Sequence, residues 1–175
     1  MANFILRKMK KINQIEPWID NNDKKAINDY LKTSGWITEN KLSSKFEDIF
    51  SKIVGCKYSI LHPNGTLTLV SILLTLNLKK DDEVIVPNYT MVASANSVIL
   101  AGAKPIFCDI SSENLCLDPQ DLLKKINRNT KAVIYVTMNG RSGHIKKIQK
   151  ICKKNNIKLI EDSAHSLGSY LKNKH

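Results

Sequence analysis

Apolar residues recur along this chain in two rhythms. In KLSSKFEDIFSKIV, residues 41–54, Leu42, Phe46, Ile49, Phe50 and Ile53 fall three and four apart, which predicts an amphipathic helix that Gly55 stops. Ahead of it, Asp20 and Asn21 stand where a helix cap belongs, for a helix through about Leu31 that TSGW at 33–36 breaks. Residues 1–20 carry few periodic apolar positions and read as an irregular arm. From residue 57 the rhythm changes. Short runs rich in Val, Ile and Tyr, at about 57–61, 83–87, 104–108, 131–137 and 157–161, predict strands. Helix-like segments at about 65–78, 91–102, 118–126 and 143–155 separate them. Strand–helix alternation at this spacing requires right-handed crossovers, hence an α/β fold: a mainly parallel sheet in three layers, with helices on both faces. The expected division is an arm and helix at 1–40 and a larger α/β unit at 41–175.

Composition adds a compartment and removes some partners. At 175 residues, 42% hydrophobic and 25% charged, the profile is that of a soluble globular chain. No apolar run approaches the roughly 20 residues needed to span a bilayer. MANFILRKMKK places its apolar residues before its charges, the wrong order for a secretory signal, so a cytoplasmic location is expected. Cys56, Cys108, Cys116 and Cys152 are far apart, with no Cys-x-x-Cys pair; buried, reduced thiols are expected, and no metal site. The formal charge is +11, but only Arg7, Arg128 and Arg141 are arginine and the lysines spread along the chain. With no nucleic-acid signature, this predicts a solvated cationic surface suited to small anions; neither a nucleic-acid nor a membrane partner is expected.

In parallel sheets ligands bind at the carboxyl ends of the strands. After the first predicted strand comes HPNGTLTL, where Gly65 and Thr66 open a helix. A glycine lets backbone approach an anion, a helix N-terminus offers free N–H groups, and the threonine adds a hydroxyl; this is half of a phosphate cradle. An ordinary turn and helix cap explains the same residues. After EVIVP, the helix from Met91 carries Ala93, Ser94 and Ala95, small residues that allow close packing. The last strand ends in EDSAHSLGS, with Asp162 at the tip and His165 three residues on. A carboxylate there suits a protonated ring nitrogen and an imidazole the ring's edge; alternatively Asp162 caps the turn and His165 packs below it.

Taken together, SGWIT (34–38), NGT (64–66), DEVIVPNYTMVASANSVILAGAKPIFCDI (82–110), TKAVIYV (130–136) and EDSAHSLGS (161–169) resemble the DegT/StrS-type sugar aminotransferases, and their perosamine synthase-like members most of all. These are pyridoxal 5'-phosphate (PLP) enzymes of the aspartate aminotransferase fold. The resemblance runs from about residue 15 to the last, in the family's order. It implies that Gly65 and Thr66 hold the PLP phosphate and that Asp162 pairs with the pyridine nitrogen. It places His165 beside the phenolic oxygen, where glutamine is common, and Met91 where many members stack an aromatic ring. Asn139-Gly140-Arg141 stands where many have a tyrosine- or phenylalanine-glycine pair. Arg141 is then either a reader of an anionic substrate group or a surface residue.

The resemblance also implies a function larger than this chain: transfer of an amino group from an amino acid, glutamate by expectation, to a nucleotide-linked keto-sugar, by a homodimer serving polysaccharide synthesis. The Schiff-base lysine of the family is expected some two dozen residues beyond EDSAH, outside this chain. Lys172 and Lys174 are not in its context, so no catalytic residue is assigned and the chain is expected to be the inactive N-terminal portion of an incomplete large domain. Two alternatives stand beside this: a sugar dehydratase of the same family, and a non-catalytic binding module.

Overall fold

The structure is a computed structural model describing residues 13, 16–33, 36 and 41–170. Most of the expected arm, most of SGWIT, Lys172 and Lys174 lie outside the described residues. The chain divides into two compact units, Met1–Ser43 and Ser44–His175. In the first, α1 (Asn21–Leu31) starts at Asp20, whose Oδ1 accepts the N–H groups of Asn22 at 2.7 Å and Asp23 at 3.0 Å. Asp23 Oδ2 in turn accepts the Asp20 N–H at 2.9 Å, closing a reciprocal capping box. These backbone bonds hold the Asp20 carboxyl below its usual range.

The second unit holds nearly all of α2 (Lys41–Val54) and the α/β layers. α2 ends as expected: Gly55 takes φ +69° and the Cys56 N–H reaches back to the Ser51 carbonyl. Then follow α3 (Gly65–Leu74), β1 (Glu83–Pro87), α4 (Ala93–Leu100), β2 (Lys104–Cys108), α5 (Pro119–Lys125), β3 (Thr130–Val136), α6 (Ile145–Lys154) and β4 (Lys158–Asp162). The four strands make one parallel sheet in the order β2-β1-β3-β4. Inner strands β1 and β3 are buried almost throughout, which is why VIVP and AVIYV read as near-continuous apolar runs; edge strands β2 and β4 are partly exposed.

Four of the five expected strands form. Residues 57–61 pair with no strand among the described residues: Tyr58 and Ile60 are 74% and 73% exposed, and the Leu61 N–H goes to Glu47 Oε1 at 2.8 Å. Strand propensity becomes a strand only where a neighbour offers its backbone, and among the described residues no strand does so here. α3 also stops short of residue 78, in a turn where Asn77 takes φ +51°.

The helices pack as two pairs, α3 with α4 and α5 with α6. The β1-to-β2 crossover moves one way along the sheet, while those to β3 and then β4 move the other. Right-handedness therefore puts α4 on one face and α5 with α6 on the opposite one. α3 and α4 contain no charged residue and expose Leu67, Ile72, Leu74, Ile99 and Leu100. The other face is cationic. Residues 119–128 and 145–154 hold eight basic side chains, all exposed, against one acid, so folding gathers lysines that look scattered in the sequence.

Candidate functional site

Because all four strands are parallel, their carboxyl ends share one edge of the sheet. The direction of winding reverses between β1 and β3, which makes the space above their tips the switch point where ligands bind in such sheets. Asn88–Met91 leave β1 there, 137–141 leave β3, and 163–166 leave β4. α3 precedes β1 in the chain and, at about 1.5 Å per residue, is about as long as that strand is tall.

At the N-terminus of α3 Asn64 caps the helix, its Oδ1 accepting the Leu67 N–H at 2.9 Å and its carbonyl the Thr68 N–H at 3.1 Å. The N–H groups of Gly65 and Thr66 have no partner among the described residues. Gly65 is exposed and a Cβ built on it would meet nothing within 4 Å, so the approach to these two donors is open. The turn-and-cap reading of this stretch holds, with Asn64 as the cap, and the two donors it leaves over stay open.

The tips of β3 and β4 are clamped to each other. Thr137, 4% exposed, sends its N–H to the Asp162 carbonyl at 3.2 Å, and its hydroxyl reaches the same carbonyl at 3.2 Å. Its Oγ1 also lies 2.6 Å from the buried Ser166 Oγ. One proton assignment satisfies both contacts: Ser166 donates to Thr137, and Thr137 to the carbonyl. Beyond it, Asn139 at φ +54° donates its N–H to His165 Nδ1 at 3.3 Å. With Nδ1 accepting, the neutral ring carries its proton on Nε2. Gly140 follows at φ +74°, and a Cβ there would stand 3.3 Å from the His165 carbonyl oxygen.

Asp162 is half-buried. Its Oδ1 takes the Ala164 N–H at 3.1 Å, so it does cap the turn, while Oδ2 has no described partner. Asp162 and His165 thus belong to one clamped unit, and His165 is an exposed side chain rather than one packed below the aspartate. Met91 is 72% exposed, ahead of α4. No hydrogen bond among the described residues links Gly65, Thr66 or Met91 to the β3–β4 unit. Arg141 is exposed, its carbonyl accepting the buried Cys116 thiol at 3.5 Å. Behind it Tyr135, fully buried, donates its hydroxyl to the Ser142 carbonyl at 2.7 Å, and burial pushes its phenol well up. No group of three or more metal-ligating side chains exists among the described residues, and no helix there is long and apolar enough to cross a membrane.

Thr137 and Ser166 are residues of this edge that sequence reasoning missed, and it did not foresee the bond from Asn139 to His165. A threonine ending an apolar strand and a serine in a turn are too common to notice. The one legible hint is Asn139-Gly140, a pair that favours left-handed backbone.

Known proteins resemble this chain over most of its length. A model of the DegT/DnrJ/EryC1/StrS aminotransferase family matches residues 17–175. GDP-perosamine synthase of Vibrio cholerae is 36% identical over 160 residues, covering 91% of this chain and 43% of the synthase. Among solved structures, Helicobacter pylori PseC, an aminotransferase involved in the biosynthesis of pseudoaminic acid, superposes with a TM-score of 0.87 at 32% identity, over 94% of this chain and 44% of its own. A Bacillus subtilis protein solved with bound cofactor PMP, ntda, superposes with a TM-score of 0.81 at 29% identity, over 86% of this chain and 35% of its own. The chain therefore spans less than half the length of the relatives it matches.

Proposed function

The chain belongs to the DegT/DnrJ/EryC1/StrS aminotransferase family, and from that premise we propose that it forms one wall of the PLP site of a nucleotide-sugar aminotransferase. The observation that carries this reading is the free half of Asp162. One carboxylate oxygen is fixed by the turn, and the other is left without a described partner at the strand tip. PLP, when bound, supplies an electrophilic carbon that accepts an amino group and a ring that takes up the electron pair left as a substrate proton departs.

The residues suit the group's polar atoms one by one. The N–H groups of Gly65 and Thr66, with the Thr66 hydroxyl, bind a phosphate at the positive end of α3. Asp162 Oδ2 accepts a ring N–H and, by its negative charge, keeps that proton in place. His165 presents Nε2–H to an acceptor oxygen, the phenolic one in this reading. Met91 packs its thioether against a ring face. The amine-bearing lysine is assigned to no residue here; the reading places it in the part of the relatives' length that this chain does not span. The donor is an amino acid, glutamate in this reading, and the acceptor a keto-sugar on a nucleoside diphosphate. The uncharged α3/α4 face, with its exposed leucines and isoleucines, is surface for a homodimer to cover.

Titration of wild type and Asp162→Ala with PLP, followed by absorbance and equilibrium dialysis, tests the reading. Removing the ring-nitrogen partner should weaken binding about tenfold or more, since charge-assisted hydrogen bonds contribute about 1.5–3 kcal/mol. Equal affinities would remove Asp162 from the site. No saturable binding to wild type at millimolar PLP would overturn the proposal for this chain.

A further inference from the structure

We propose that the outward face of α6, with α5 beside it, is an electrostatic docking surface for an anionic lipid bilayer. α6 reads IKKIQKICKK. Ile145, Ile148 and Cys152 are buried, and Lys146, Lys147, Lys150, Lys153 and Lys154 are all exposed on the opposite side. Those five fall at i, i+1, i+4, i+7 and i+8, one continuous stripe about 12 Å long at 1.5 Å per residue. Lysines three or four residues apart in it stand about 5–6 Å from each other at Cβ, inside the Debye length of about 8 Å at physiological salt, so neighbouring fields add. α5 packs against α6 and contributes Lys124 and Lys125.

No ion pair among the described residues engages α6: the pairs are Lys32–Asp29 and Lys131–Asp82. The acid on α5, Asp121, accepts the Asp109 N–H at 2.8 Å and lies in the field of Lys124 and Lys125, so it offsets part of the α5 charge and leaves the five lysines of α6 unpaired. Self-repulsion of five unpaired lysines on ten residues costs stability, and an external polyanion relieves it.

The chemistry of the face selects the partner. Two helices side by side on a sheet make a flat platform, and α6 commits its apolar side to the core, so it has nothing to insert into hydrocarbon. α6 has no arginine fork and no aromatic with which to read bases or stack on them. Except for Leu123 on α5, no large apolar side chain is exposed on these two helices as the anchor of a protein interface. A flat lysine array with no specific readers matches a surface of laterally mobile anionic headgroups. The faces are also sorted for it: α3 and α4 carry the uncharged apolar surface that an assembly would hide, leaving the cationic face outward.

The test is partition of the full chain onto vesicles of phosphatidylcholine alone, or mixed about two to one with phosphatidylglycerol. It compares wild type, Lys146→Gln/Lys150→Gln/Lys153→Gln on α6, and a charge-matched control, Lys24→Gln/Lys25→Gln/Lys52→Gln on α1 and α2. All six positions are exposed, so both variants should fold, which circular dichroism checks. Wild type should bind only the anionic vesicles and release between about 0.05 M and 0.5 M salt. The α6 variant should lose on the order of a hundredfold in partition coefficient, the control less than tenfold. Equal losses in the two variants would reduce the effect to net charge and overturn the proposal. So would wild-type binding that ignores lipid charge, absence of binding, or tighter binding to a mixed-sequence DNA duplex at the same salt.

Discussion

The short contact between Thr137 and Ser166 allows a sharp test of what holds the candidate site together. Thr137→Val keeps the shape and removes the hydroxyl. The Asp162 carbonyl retains the Thr137 N–H, but the buried Ser166 hydroxyl is left with only the Ser163 carbonyl at 3.4 Å. A buried group stranded in this way costs about 1–3 kcal/mol; with a poor acceptor still in reach, about 1–2 kcal/mol is expected. Ser166→Ala leaves Thr137 its bond to Asp162 and should cost about 0.5–1.5 kcal/mol. In the double variant no stranded hydroxyl remains, so its cost should not exceed the larger single one by much. A coupling of about 1 kcal/mol follows. Urea or guanidinium unfolding of the four proteins measures it, and amide exchange at Ala164, whose N–H is held by Asp162, reports the turn directly. Exchange there should quicken in Thr137→Val. Additivity within about 0.3 kcal/mol, with Ala164 exchange unchanged, would refute the clamp.

Two further outcomes follow from the same region and from the core. Gly143 takes φ +47°, and a Cβ on it would stand 2.6 Å from the buried Tyr135 hydroxyl oxygen and 2.7 Å from Cys116 Cβ. Gly143→Ala should therefore destabilise by about 2–4 kcal/mol, from left-handed backbone and overpacking together, and a shift of the unfolding midpoint checks it. Of the four thiols, Cys56 is exposed while Cys108, Cys116 and Cys152 are buried; desolvation pushes Cys108 up to about 12 and Cys152 up to about 11. A disulfide reagent at pH 8 should modify one thiol rapidly in the native chain and all four after denaturation; two or more fast thiols would contradict the burial.

The sequence by itself determined the parts whose cause is local. The Asp20 cap, the three-and-four spacing of α2 and the stop at Gly55 depend on residues a few positions apart, and they form as read. The apolar runs of β1 and β3 announce strands covered on both faces, because side chains on either face meet the core rather than water. The placing of Gly65, Thr66 and Asp162 at strand and helix ends was likewise legible from alternation alone.

What only tertiary structure decided depends on partners distant in the chain. Residues 57–61 have the composition of a strand, but pairing is a property of two segments, and the described residues offer no second. The strand order, which creates a switch point between β1 and β3, is not encoded in any one strand. His165 acquires its proton arrangement from the Asn139 N–H, 26 residues away, and Asp162 its anchorage from Thr137, 25 residues away. The lysines follow the same rule: spacing along the chain made them look dispersed, and the crossover that sets α5 beside α6 gathered eight basic groups on one face. Charge and hydrogen bonding act through space, so their consequences appear only once the fold has fixed which residues are neighbours.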